Sequence, residues 1–125
     1  MNARVFSNGT VAWYLKDYQN STVVMVDGSG VVQDRIAYDG FGNILSETNS
    51  SFGDRFKYTG REWDAVTGLQ YNHERYYYPA IAKWTSMDPL GFAAGDANLY
   101  RYVANGATKL ILKRTWECYA ARLCR

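Results

Sequence analysis

The stretch from Phe56 to Tyr102, FKYTGREWDAVTGLQYNHERYYYPAIAKWTSMDPLGFAAGDANLYRY, is cut by Gly60, Gly68, Pro79 and Pro89 into runs of strand length. Phe56 and Tyr58 alternate with Arg55 and Lys57, which puts two rings on one face of a strand and two charges on the other. Further on, Leu69, Tyr71, His73, Arg75 and Tyr77 share one side of a second strand, with Gln70, Asn72, Glu74, Tyr76 and Tyr78 on the other. Rings on both sides predict a strand covered on both faces. Between Trp63 and Leu69, Asp64-Ala65-Val66-Thr67-Gly68 has the length of a hairpin loop, with Asp able to bond the backbone ahead and Gly able to take positive φ. A hairpin over Trp63 to Tyr78 follows. Pro79 ends its second strand and Pro89 ends the run from Lys83 to Met87, because proline donates nothing to a ladder.

Upstream the chain repeats itself. Val26-Asp27-Gly28-Ser29-Gly30-Val31-Val32 aligns with Tyr38-Asp39-Gly40-Phe41-Gly42-Asn43-Ile44. Each copy reads as a strand end, a turn made by Asp and Gly, and the start of the next strand. Between them Val32, Ile36 and Tyr38 are expected on one face, and Gln33, Arg35 and Ala37 on the other, as in a half-buried antiparallel meander. Residues 43–52, rich in Ser and Asn, read as a loop or a short linker. Asp96 is placed to cap a short helix near residues 96–104, ended by Asn105-Gly106. From Lys109 the Tyr, Gly and Asp rhythm is lost, leaving a tail, 109–125, that is either helical or disordered.

Composition narrows the function. The 125 residues suffice for one domain, and 16% aromatics with eleven Tyr predict a ring-rich β core; stacking of exposed rings on sugars or peptides is the alternative use. Residues 1–106 hold nine basic and eleven acidic side chains, so the body is no polyanion binder, and the five basic residues of 107–125 read as a solvated tail. No nucleic-acid partner is expected. Cys118 and Cys124 match no zinc or redox spacing and His73 is remote from them, so no metal is expected. The glycines at 28, 30, 40 and 42 lack the Lys-Ser/Thr of a phosphate loop, and no other cofactor motif is present. No run approaches the roughly 20 apolar residues of a membrane-spanning helix, and MNARVFSNGT lacks the apolar centre of a signal peptide.

The ordered blocks Tyr-Thr-Gly-Arg-Glu, Thr-Gly-Leu-x-Tyr, Arg-Tyr-Tyr, Trp-Thr-Ser-Met-Asp-Pro-Leu-Gly-Phe and Gly-Asp-Ala-Asn-Leu-Tyr-Arg-Tyr-Val, together with Tyr38-Asp39, resemble the core-associated region of Rhs/YD-repeat proteins. The resemblance runs from about Trp13 to Thr108. It implies an all-β fold of short antiparallel strands and hairpins, part of a hollow shell that encloses a C-terminal toxin or variable polypeptide. It also implies upstream repeats or self-association as partners, and a secreted or bacterial cell-surface location. The corresponding division is an irregular 1–10, a core region 11–108 with YD-like repeats at 26–47 and a core at 56–104, and the variable tail. The positions that carry the motif are Asp27, Gly30, Tyr38, Asp39, Gly42, Gly60, Gly68, Tyr71, Arg75, Tyr76, Tyr77, Asp88, Pro89, Gly91, Asn98, Tyr100 and Tyr102.

Members of the family resemble aspartic proteases in cutting their own chain, which needs two carboxylates sharing a proton. Asp88 in Asp88-Pro89-Leu90-Gly91 would be the first. The second Asp-Pro-x-Gly block is expected near residue 110, where this chain has Leu110-Ile111-Leu112-Lys113. Asp88 is therefore expected to be a remnant, and the chain a non-catalytic structural segment. An active autoprotease and an independent aromatic-rich domain that binds carbohydrate or protein are the competing readings. Two further departures from the family pattern are Tyr78, usually Asp, and Ala82, usually Gly.

Overall fold

The computed structural model describes residues 3–103, which form antiparallel sheets joined by turns and one-turn 3-10 segments. The chain divides into two units, Met1–Glu62 and Trp63–Arg125. The expected core at 56–104 is thus split, its first residues belonging to the first unit.

The first unit is a five-stranded meander in sequence order: β1 (Ala3–Val5), β2 (Val11–Lys16), β3 (Thr22–Asp27), β4 (Val32–Tyr38) and β5 (Ile44–Glu47). Alternation explains it. In β2, Ala12 and Tyr14 are buried while Trp13 and Leu15 are half exposed, and across the ladder Tyr14 pairs with Met25, which pairs with Asp34. Ala12, Tyr14 and Met25 form a core against which Phe6 and Phe52 pack. Complete burial of a side chain such as Met25 contributes about 2 kcal/mol.

Four expectations for this unit are corrected. Residues 43–52 are not a loop throughout, since Ile44–Glu47 pairs with β4 as strand β5. Residues 1–10 are not irregular throughout, since Ala3–Val5 pairs with Val11–Trp13 as an edge strand. Val32 does not share a face with Ile36 and Tyr38: a bulge where β3 meets β4 pairs Val32 with Val26, and the extra residue reverses the alternation, leaving Val32 43% exposed. Phe56 to Tyr58 is not a strand with rings on one side and charges on the other. Lys57 and Tyr58 are both buried, because Tyr58–Gly60 winds into a 3-10 turn and Lys57 forms an ion pair with Glu47.

The second unit carries the sheet β6 (Glu62–Asp64), β7 (Leu69–Asn72), β8 (Arg75–Tyr78) and β9 (Lys83–Trp84), again in sequence order. The loop from Asp64 to Gly68 closes a hairpin as expected: Gly68 N–H donates to the Asp64 carbonyl at 2.8 Å and Val66 N–H to the Asp64 carboxylate at 2.9 Å. The strand expected from Leu69 to Tyr78 is instead a second hairpin, turning at His73-Glu74 with His73 at φ +63°. Two turn residues reverse the alternation, so Gln70, Asn72, Arg75 and Tyr77 are buried together and Tyr71 and Tyr76 lie together on the open face. The helix expected near 96–104 is absent among the described residues; Gly91–Ala94 forms a 3-10 segment, and Asp96 and Asn98 each cap a turn. The tail, 109–125, lies outside the described residues.

Candidate functional site

Of the expected motif positions in the first unit, Asp27, Gly30, Asp39 and Gly42 sit in two hairpin turns that are copies of one another, whereas Tyr38 ends β4 and Gly60 ends the 3-10 turn. At Asp27 and Asp39 the backbone N–H donates to the carbonyl four residues on, Val31 at 3.0 Å and Asn43 at 2.9 Å. The aspartate carbonyl accepts from the glycine three residues on, Gly30 at 3.0 Å and Gly42 at 3.1 Å. Each carboxylate completes the turn from inside, Asp27 accepting the N–H of Ser29 and Val31, and Asp39 that of Phe41 and Asn43. Gly30 at φ +83° and Gly42 at φ +89° occupy the left-handed place where a Cβ is costly.

The same carboxylate and backbone bonds recur at Asp17, with Asn20 at φ +68° in the glycine's place. The backbone pattern recurs again at Phe6, with Gly9 at φ +82°. Sequence reading misses these two because Asn replaces Gly in one and Phe replaces Asp in the other. The legible signal was Asp17-x-x-Asn20 ten residues before Asp27, since Asn tolerates the left-handed region.

These bonds set the acidity of the turns. The Ser29 hydroxyl, then the Gln33 side chain and the Val31 N–H, hold the Asp27 carboxyl down to about 2. For Asp39 burial pushes upward, but bonds from Asn43, Phe41 and Gly42 outweigh it and leave the carboxyl below its usual range.

Tyr58–Gly60 ties two of the turns together. The Tyr58 ring covers Gly42 so closely that a Cβ there would lie 2.3 Å from it, and its hydroxyl donates to the Gly40 carbonyl at 3.2 Å. Gly60 abuts Asn20 of the Asp17 turn, whose side-chain nitrogen would lie 2.5 Å from an added Cβ. Around it, Thr59 N–H donates to Ser21 Oγ at 2.9 Å and Thr22 N–H to the Lys57 carbonyl at 3.1 Å. Tyr38, its ring 5.6 Å from that of Tyr58, donates its hydroxyl to the Thr22 carbonyl at 2.8 Å. Burial raises both phenols, Tyr58 to about 12 and Tyr38 further, so both stay neutral donors.

In the second unit Arg75, Tyr77 and Tyr102 converge on Trp84, and Asp88 joins them through Arg75; Trp84 opens one of the quoted blocks but is not among the expected motif positions. Tyr77 and Tyr102 are buried and stack face to face at 3.7 Å and 16°, and Trp84 meets them at 5.8 and 5.4 Å. The Arg75 guanidinium lies 4.1 Å over the Trp84 ring and 3.4 Å from the Asp88 carboxylate. The other oxygen of that carboxylate accepts the Leu90 N–H at 2.9 Å. With Pro89 second in the turn, Gly91 at φ +56° donates its N–H to the Asp88 carbonyl at 2.8 Å. Asp88 thus caps its own turn and neutralises a buried guanidinium, while its N–H donates to the Leu99 carbonyl at 2.9 Å rather than closing a hairpin as at Asp27. Asn98 accepts the Tyr100 N–H at 3.1 Å, and the Tyr100 carbonyl accepts the Trp84 N–H at 3.0 Å. Tyr71 and Tyr76 take no part in this cluster. Ala82, after the 3-10 segment Pro79–Ile81, stands at φ +53°.

Among the described residues no group of three or more His, Cys, Asp or Glu side chains is placed to hold a metal. No helix among them is long and apolar enough to cross a membrane. What the arrangement supplies is turn capping, ring stacking and ion pairing.

The family model described as teneurin YD-shell matches residues 6–107. The toxin subunit YenC2 of Yersinia entomophaga is 36% identical over 107 residues, 82% of this chain and 11% of that protein. The uncharacterised protein YibJ of Escherichia coli K12 is 30% identical over 93 residues, 74% of this chain and 40% of YibJ. Among solved structures, TcdB2-TccC3 superposes with a TM-score of 0.77 at 29% identity over 86% of this chain and 5% of that one. The chain spans less than half of each of these proteins.

Proposed function

This chain belongs to the teneurin YD-shell family, and we propose that it is a stretch of wall in a longer β-shell that encloses a C-terminal toxin or variable polypeptide. Its role is structural. The observation that carries the reading is the hairpin turn repeated at Phe6, Asp17, Asp27 and Asp39 through one continuous meander, a geometry that further copies can extend without alteration. Among the described residues β1 pairs with β2 alone, and its outer edge suits an upstream repeat of the same polypeptide, with self-association as the alternative. A secreted or bacterial cell-surface setting is consistent with this role.

The test is a chimera in which residues 6–103 replace the matching segment of TcdB2-TccC3, a protein with a hypervariable C-terminal region. A chimera that assembles and keeps that region protected from added protease supports the reading. A well-folded chimera that leaves the region open to digestion sinks it.

We further infer that the chain does not cut itself. Asp88 is occupied by Arg75 and by the Leu90 N–H, and the position expected for a second Asp holds Leu110. Intact mass after long incubation between about pH 4 and 8 is expected to show a single species. A specific fragment pair that disappears in Asp88→Asn would reinstate the autoprotease. The exposed rings of Trp13, Tyr71 and Tyr76 are what an independent carbohydrate- or protein-binding domain would use. Tyr71 and Tyr76 are inclined to each other by 49°, however, and present no flat platform to a sugar.

A further inference from the structure

Tyr71 and Tyr76 are motif residues that the packing leaves unused. They are direct cross-strand partners on β7 and β8, 39% and 47% exposed, with ring centroids 5.3 Å apart. The His73 ring stands edge-on to Tyr71 at 5.7 Å and limits where that ring can swing. Cβ atoms of such partners lie about 5 Å apart, and exposed rings turn freely enough for their edges to meet.

We propose that Tyr71 and Tyr76 are a modification site, joined as an intrachain dityrosine when the protein meets hydrogen peroxide and a haem peroxidase acting as one-electron oxidant. Each phenol gives up one electron and its hydroxyl proton. The two phenoxyl radicals couple through ring carbons ortho to oxygen, forming one carbon–carbon bond. The hydrogens on those carbons move to the oxygens as both rings regain aromaticity. In total the chain loses two hydrogen atoms and one hydrogen peroxide becomes two waters. The product is a covalent staple across the β7–β8 hairpin.

Other ring pairs are worse placed. Tyr77 and Tyr102 stack more closely, but both are buried away from an oxidant. Tyr58 is buried and both it and Tyr38 commit their hydroxyls to backbone carbonyls. Tyr18 and Tyr100 are exposed but have no ring contact with another tyrosine among the described residues.

The experiment treats the dilute full chain with peroxide and a haem peroxidase, isolates the monomer and digests it with trypsin. Cleavage at Arg61, Arg75 and Lys83 separates the two tyrosines, so the staple appears as residues 62–75 joined to 76–83, two hydrogen atoms lighter than the sum. Fragmentation is expected to place the bond at Tyr76 and not at Tyr77 or Tyr78. Tyr71→Phe and Tyr76→Phe, each checked for native near-UV circular dichroism, are expected to lose the joined peptide and the monomer's dityrosine fluorescence, whereas Tyr78→Phe keeps both. Unfolding in urea before oxidation is expected to abolish the preference. The proposal is overturned if the joined peptide never forms in the folded chain, if cross-links form only between chains and rise with concentration, or if the joined peptide survives in either folded Phe variant.

Discussion

In the first unit the turns at Asp17, Asp27 and Asp39 are each closed by an aspartate bonding residues no more than four positions ahead, whereas in the second unit Arg75 reaches Trp84, Asp88 and Leu99, and Tyr77 stacks on Tyr102. The turns of one unit are built from short-range bonds repeated along the chain. The other depends on a single convergence of distant residues. The contrast separates two ways of holding short strands, a turn that is stable by its own chemistry and a turn held by what packs over it. Damage to the first kind should stay graded, because each copy is replaceable. Damage to the second should be severe, because one cluster serves every strand near it.

The largest effect is expected from Tyr77→Ala, which removes the fully buried ring of the stack and should cost about 4 kcal/mol. Chemical denaturation gives the total, and hydrogen exchange should show the loss concentrated in β7 to β9. A uniform loss over both units would break the contrast.

Next comes a pair of glycines with the same backbone and different surroundings. Gly42→Ala meets both the left-handed φ and the Tyr58 ring and should cost about 3 kcal/mol, whereas Gly30→Ala, with open space around it, should cost about 1 kcal/mol. Equal midpoint shifts in urea would show that Tyr58 yields easily and that the clamp contributes little.

A smaller change of opposite sign is expected at Ala82, the non-glycine residue at φ +53° after Pro79–Ile81. Ala82→Gly should stabilise by about 1 kcal/mol, read as a higher melting temperature. A lower one would mean that the methyl has a packing role exceeding its strain.

The smallest effect is a pH dependence of the repeated turns. Asp27, held at about 2, and Asp39, held below its usual range, bind fewer protons folded than unfolded, so their contribution is full above about pH 4 and fades as pH falls toward 2. Melting temperature should therefore decline over that window, and Asp27→Asn should flatten the decline. A flat wild-type profile would show that the carboxylates do not govern these turns.

Residue order alone makes the local turns legible. Asp27, Gly30, Asp39 and Gly42 announce theirs, and Asp64 to Gly68 announces a hairpin, because side chain and backbone partners lie within five residues. His73-Glu74 announces nothing. Neither residue is a customary hairpin residue, and the regular alternation of Leu69 to Tyr78 conceals a reversal that places Arg75 and Tyr77 on the same side as Gln70 and Asn72. Asn20 and Phe6 hide two copies of the repeat in the same manner.

The all-β class, the short strands and the locations of the turns at Asp27, Asp39 and Asp64 follow from the amino-acid sequence by itself, since each rests on local φ preferences and on bonds a few residues long. Tertiary contact decided the rest. It set why Gly42 and Gly60 tolerate no side chain, where Tyr58 and Asn20 press against them, and why Lys57 is buried against Glu47. It also gave Asp88 its role, a carboxylate capping one turn while balancing a guanidinium thirteen residues earlier in the chain. Such choices are set by close packing and by pairing of buried charge, which depend on groups that only folding brings within reach.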